Sequence, residues 1–140
     1  MNSSDAKYPK GCSITLWVAI LLFTLFVFIP YADFYVGLGR ISLKADIPPD
    51  VSVLENYLAT EAFIPGMSQD EVHNLLYSLG VRVKIEDISN VHKRLYPEET
   101  GLYESVTLWI GYWPLNRYDL TFIYDEKYVL TSVTFHNDPS

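Results

Sequence analysis

The chain has a single cysteine, Cys12, in 140 residues. An intrachain disulfide is therefore excluded, as is any zinc or iron–sulfur centre built from several thiolates. Basic residues are scarce too: ten Lys and Arg stand against seventeen Asp and Glu, a formal charge of −7 at pH 7. Nucleic acid is bound by clustered Lys and Arg that neutralise phosphates, so no nucleic-acid partner is expected. The sequence has three histidines, His73, His92 and His136, and no two share the i, i+4 spacing of a helical metal site, so they read as solvated side chains. It contains no Gly-rich phosphate loop, nucleophile elbow or His-Glu-x-x-His segment. The acidic pairs Asp70/Glu71, Glu86/Asp87, Glu98/Glu99 and Asp125/Glu126 are adjacent in sequence. Neighbours on a strand face opposite ways, and a carboxylate pair in a first helical turn is explained by the macrodipole. No catalytic residue, metal or cofactor is expected, and the chain is read as non-enzymatic.

What the sequence has in quantity is apolar residues, 49%, spread unevenly. From Gly11 to Ala32 there is no charged residue, and Ile14–Ile29 is almost wholly Ile, Leu, Val and Phe. About 20 apolar residues in a helix span a hydrocarbon core of about 30 Å. Trp17 near one end, with Tyr31 and Tyr35 near the other, suits the aromatic preference for the headgroup level. Residues 13–32 are therefore expected to form one transmembrane helix, with Pro30 at its end, preceded by a short tail over 1–12. A buried soluble helix would need a large surrounding domain, and only 108 residues follow Ala32. A cleaved signal peptide is the competing reading, but the run is long for one and Pro30-Tyr31-Ala32 is a poor cleavage site. Cys12 precedes the apolar run, whereas a bacterial lipoprotein cysteine follows it; reversible acylation of Cys12 stays open in a eukaryotic host. Lys7 and Lys10 lie close to the segment and Asp33 begins the other flank, which favours a cytoplasmic N-terminus and an extracytoplasmic C-terminal domain at the plasma (inner) membrane.

Past the apolar run, residues 33–47 lack a clean period, and Gly37 and Gly39 suggest a juxtamembrane linker or a short irregular strand. Pro48-Pro49-Asp50 breaks the chain, and Ser52-x-x-Glu55 reads as a capping box opening a short helix over about 51–61. The next helix is specified best. Gly66 ends the preceding segment, Ser68 is the N-cap, Glu71 returns the capping-box bond, and Met67 with Val72 makes a hydrophobic staple. Val72, Leu75, Leu76 and Leu79 fall on one helical face, and Gly80 suits the left-handed position past the end.

After Gly80 the period changes to two. Val81, Val83 and Ile85 alternate with charged residues, Ser89–Gly101 reads as a polar loop, and Val106, Leu108 and Ile110 share one face of the next strand. Trp113-Pro114-Leu115-Asn116 breaks that strand, Leu120, Phe122 and Tyr124 mark another, and Val129, Thr131, Val133 and Phe135 alternate along the last. Short connections imply antiparallel neighbours. The fold class expected is α+β: an N-terminal transmembrane helix, then a small two-layer domain over 48–138 of two helices on an antiparallel three- to four-stranded meander.

The segment Gly66-Met67-Ser68-Gln69-Asp70-Glu71-Val72 resembles the Gly-Met-Thr-x-x-x-Val helix start of the BamE (SmpA/OmlA) family, and Leu120–Asp125 with Val129–Val133 resembles that family's last hairpin. Order and element types agree over about residues 51–136. The motif residues are Gly66, Met67, Ser68, Glu71 and Val72, with Leu76 and Gly80 completing the helix. The resemblance implies two helices on an antiparallel sheet. Family members are commonly small extracytoplasmic lipoproteins, and the name-giving one is an accessory of outer-membrane β-barrel assembly. For this chain it implies an interaction module, such as an envelope assembly accessory.

A surplus of strand aromatics remains. An antiparallel sheet has two faces and the helices cover one, so Trp109, Trp113, Tyr112 and Tyr118 are candidates for an exposed patch that takes a protein partner. Trp109 shares a face with Thr107 and Gly111, and Gly111 would leave a gap beside it. The alternative is a small ligand-binding domain using that open sheet face. From Asp33 onward sixteen acidic residues face eight basic ones, a net of −8, so the domain is expected to stand off anionic lipid. The sequence is thus read as a membrane-anchored interaction or scaffolding domain.

Overall fold

The computed structural model describes residues 10–113 and 115–136, with side chains from Ser13 onward. Most of the expected tail, the Cys12 thiol, Pro114 and the last residues of the expected domain lie outside the described residues. The chain divides into two compact units, Met1–Ala32 and Asp33–Ser140.

The first unit holds the apolar stretch of helix α1 (Lys10–Ala45). Ile14, Trp17, Phe23, Phe26, Phe28 and Tyr31 are all exposed, so the apolar surface runs round the whole helix rather than along one stripe. This helix is long and apolar enough to cross a membrane. Pro30, expected at the helix end, lies inside α1.

In the second unit, residues 33–45 continue as α-helix, not as the linker or irregular strand expected from Gly37 and Gly39. Phe34, Leu38, Ile41 and Ala45 recur at helical spacing, and all four belong to or pack on the core. The glycines do not break this helix. Gly37 is buried where a Cβ would overlap the Ile110 carbonyl, so it allows two backbones to approach closely. Helix α2 (Val51–Asn56) passes into a π-helical turn, Tyr57–Glu61, matching the expected helix over 51–61. Its cap is Asp50, whose carboxylate accepts the Ser52 and Val53 N–H groups at 2.9 and 3.2 Å, rather than the expected Ser52/Glu55 box. Helix α3 (Gln69–Ser78) carries the complete capping box: Ser68 Oγ accepts from the Glu71 N–H, and Glu71 accepts from the Ser68 N–H at 2.7 Å. Gly66 and Gly80, at φ +101° and +70°, close the turns on either side of it.

Four antiparallel strands follow in sequence order: β1 (Arg82–Asp87), β2 (Leu102–Trp109), β3 (Arg117–Tyr124) and β4 (Leu130–His136). The register pairs Val83 with Leu108, Ile85 with Val106, Leu120 with Val106 and Phe122 with Val133. These residues share one sheet face. It joins Leu38 and Ile41 of α1, Leu54 of α2, Leu58 of the π-turn, and Val72 and Leu76 of α3 in a single hydrophobic cluster.

Two expectations within the sheet region fail. Ser89–Leu95 is a helix, α4, not part of a polar loop. It has no buried residue, and its two large apolar side chains, Val91 and Leu95, are exposed. Along β4 the expected alternation breaks, because the register slips between Ile123 and Tyr124. Ile123 pairs with Ser132 and Tyr124 with Leu130, so Thr131 is the extra residue of a bulge, and Leu130 shares the core face with Val133 and Phe135. The turn before β4 is tied by Asp125, whose carboxylate accepts the Lys127 and Val129 N–H groups. Residues 66–69 pair with 128–130: Gly66 N–H donates to Leu130 O, Leu130 N–H to Met67 O and Gln69 N–H to Tyr128 O, at 2.9, 2.7 and 2.9 Å.

Candidate interaction surface

The second sheet face carries Arg82, Lys84 and Glu86 of β1, Ser105, Thr107 and Trp109 of β2, Arg117, Asp119 and Thr121 of β3, and Ser132, Thr134 and His136 of β4. Apart from Trp109 and the register pair Tyr103 and Ile123 it is polar, and it is cross-linked by its own side chains. Thr107 Oγ1 donates to Asp119 Oδ1 at 2.7 Å, Arg117 pairs with Asp119 at 3.4 Å, and Thr121 bonds His136 at 3.0 Å. The Arg82 guanidinium lies 4.2 Å from the centre of the Trp109 ring, a cation–π contact across the β1–β2 pair. Helix α4 closes one end of this face, with His92 stacked on Tyr103 at 3.6 Å between ring centroids.

The four aromatics expected to form one patch separate. Trp109 is on the second face, as its parity required, but half-buried beside Arg82. Tyr112 is 83% exposed, in the β2–β3 connection. Trp113 is half-buried in the same connection. Tyr118 is only 7% exposed: its register partner is Leu108, which places it on the core face, and its hydroxyl donates to Glu55 at 3.2 Å. Tyr118 therefore belongs to the core and not to a surface. The gap expected beside Gly111 is also absent, because the Asp33 carboxylate occupies the space a Cβ would take.

Asp33 organises that end of the unit. Its Oδ1 accepts the Tyr112 N–H at 2.8 Å, its Oδ2 accepts the Trp113 N–H at 2.7 Å, and Asn116 Nδ2 approaches at 3.4 Å. Beside it a groove of about 130 Å³ is lined by Asp33, Gly37, Arg40, Arg82, Trp109 and Gly111 among others. The expected membrane anchors Trp17 and Tyr31 are both exposed on α1.

A buried polar cluster lies on the core side. Glu104 is 4% exposed among the aliphatic residues of β2. It accepts from Gln69 Nε2 at 2.5 Å and bonds His73 Nε2 at 2.9 Å. His73, expected to be solvated, is instead a partner that keeps a carboxylate satisfied under α3. The buried Tyr124 hydroxyl makes no hydrogen bond of good geometry. Its burial, and then the Glu104 charge beside it, push its titration far above the usual phenol range. At the opposite end of the sheet from Asp33, Asp87, Lys93, Glu99, Tyr103, Asp125 and neighbours line a wide cleft of about 470 Å³. Three of its carboxylates are already engaged. Asp87 accepts the Ser89 N–H, Asp125 ties its turn, and Glu99 bonds His92 at 2.7 Å and the Tyr103 hydroxyl at 2.8 Å. The His92 and Tyr103 bonds hold the Glu99 carboxyl below its ordinary range. No trio of metal-capable side chains converges among the described residues.

Sequence reasoning missed Asp33, Glu104 and Arg82. Glu104 left a trace, a charge in register with Leu102, Val106 and Leu108 on an otherwise apolar face. Asp33 left none, because its partners lie some 80 positions away. No family model matches this chain, and no curated protein or solved structure does so either.

Proposed function

We propose that this chain is a single-pass membrane protein of the inner (plasma) membrane, with a cytoplasmic N-terminus and an extracytoplasmic, non-enzymatic interaction or scaffolding domain. In this reading residues 13–32 span the bilayer and the second unit is a two-layer domain of the BamE (SmpA/OmlA) type, related to an envelope assembly accessory. The observation that carries it is the first unit itself: Ile14, Phe23, Phe26 and Phe28 expose apolar surface on every side of α1, which a bilayer satisfies and water does not. The partner is a protein, and the polar sheet face around Trp109 and Arg82 is where it docks. A large ring beside a guanidinium is the kind of pair that anchors interfaces. The small-ligand reading of that face draws less support, since its groove of about 130 Å³ is below the 300–1,000 Å³ or so of small-molecule sites.

A reporter active only outside the cytoplasm, fused after Ser140, tests the topology and should be active; activity of a cytoplasm-only reporter there overturns it. Trp109→Ala in the full chain should weaken capture of the partner and leave thermal unfolding within a few degrees of the native protein. A large loss of stability would mean that Trp109 is structural and the docking face lies elsewhere.

A further inference from the structure

We propose that the β2–β3 connection, with Tyr112 and Leu115 at its tip and Val36 of α1 beside it, is a lipid-contacting surface that rests in the headgroup region of the bilayer. This rests on the reading of residues 13–32 as a membrane span. Asp33 directly follows Ala32, the last residue of the charge-free run. Its carboxylate holds the backbone N–H groups of Tyr112 and Trp113 at 2.8 and 2.7 Å, so the connection is tied to the residue that follows the apolar run in sequence. Val36 lies only four residues past Ala32 in sequence, and the headgroup zone of each leaflet is about 5–8 Å deep.

The exposed groups suit that zone. Tyr112 is 83% exposed and Leu115 75%; Leu43, Leu95 and Tyr77 are exposed elsewhere in the unit, but they do not share this connection with the residue that follows the apolar run. Tyr35 and Val36 are exposed as well, and Val36 lines the same groove as Asp33 and Tyr112. An exposed tyrosine has an apolar ring and a polar tip, and such side chains collect at the membrane–water interface. The charges agree. The unit as a whole carries −8, yet the groove's charged residues are Asp33, Arg40 and Arg82, and Asp33 is engaged with backbone N–H groups. Arg117 follows the connection directly. This end therefore lacks the acidity that keeps the rest of the unit away from anionic headgroups.

The test uses the full chain in phosphatidylcholine nanodiscs with Cys12→Ser, nitroxide-labelled at one introduced cysteine at a time. Leu115→Cys reports the connection, Thr134→Cys the exposed sheet face and Val27→Cys the apolar run. Collision with oxygen, which concentrates in lipid, is compared with collision with a water-soluble nickel chelate. Val27→Cys should favour oxygen and Thr134→Cys nickel. Leu115→Cys should show severalfold less nickel collision than Thr134→Cys, with oxygen collision raised. If Leu115→Cys matches Thr134→Cys while Val27→Cys is in lipid, the span stands and the inference is overturned. If Leu115→Cys is shielded from both reagents, a protein or a second copy covers it, which also overturns the inference. If Val27→Cys favours nickel, the span reading fails and this inference falls with it.

Discussion

Alanine at Gly37 and at Gly39 should change stability in opposite directions. Both glycines lie inside helix α1, where propensity alone makes Gly→Ala favourable by about 1 kcal/mol. Gly39 has no other atom within 4 Å of where its Cβ would stand, so Gly39→Ala should realise that gain. At Gly37 the added methyl would meet the Ile110 carbonyl, and the chain there is bound to α1 through the Asp33 bonds to Tyr112 and Trp113. Relieving the overlap requires moving the helix off the end of β2 and loosening Leu38 and Ile41, both fully buried. Overpacking of this kind costs about 1–3 kcal/mol, so after the propensity gain Gly37→Ala should lose up to about 2 kcal/mol. The two variants then differ by about 1–3 kcal/mol, a separation on the order of 1 M in urea midpoint for a domain of this size. Urea unfolding of a fragment spanning 33–140, followed by circular dichroism, reads this directly. If both variants raise the midpoint, helix α1 does not seat on the end of β2 and the close approach is wrong.

Removing residues 33–45 should largely abolish cooperative unfolding. Burial of Leu38 and Ile41 contributes about 3–6 kcal/mol at about 1.5–3 each, against a total of about 5–15 for a domain; a fragment 46–140 that melts like 33–140 would refute this. Leu76→Ala should cost about 2–5 kcal/mol, since Leu76 is fully buried in the core, and calorimetry of the same fragment would show it. The Ser68 N–H and hydroxyl lower the Glu71 carboxyl from its ordinary value. The stability this contributes is present above the unfolded carboxyl range and is lost as pH falls through the folded one. The gap between native protein and Glu71→Gln should therefore narrow in acid, as pH-dependent urea melts would report; a gap that widens in acid would contradict the capping box.

The elements that could be read in advance were those whose signals are local. Ser68 with Glu71 is a complete capping box in four consecutive residues, and Val83/Ile85 and Leu120/Phe122 alternate in a way only a half-buried strand requires. Residues 33–45 also carried a helical stripe, Phe34-Leu38-Ile41-Ala45, but two glycines hid it. One of them exists for a contact with Ile110, so composition misread a packing device as a breaker. Helix α4 had no buried side to announce it, and the bulge at Thr131 depends on how β3 and β4 pair, not on either sequence alone. The surface was the least legible part. Parity placed Trp109 on the correct face and, with Leu120, Phe122 and Tyr124, would have turned Tyr118 inward, but it could not foresee that Arg82 lies beside Trp109 or that Asp33 fills the space at Gly111. Both depend on groups that only the folded register brings together.

The pairing of residues 66–69 with 128–130 has a consequence for the timing of folding. The N-terminal edge of α3 is held by backbone bonds to Tyr128 and Leu130, and Leu38 and Ile41 share a cluster with side chains as late as Leu130. A nascent chain that has reached β3 thus holds all of its helices and the Asp33 bonds to Tyr112 and Trp113, but not the bonds that fix the N-terminal edge of α3. The cluster that holds Leu38 and Ile41 is complete only when the last strand is made. Contacts this distant in sequence are slow to form, because the long loop has to be closed before it is rewarded. The domain should therefore fold in one late cooperative step rather than piecewise during synthesis, and loss of a few residues from β4 should release the front of the domain as readily as the back.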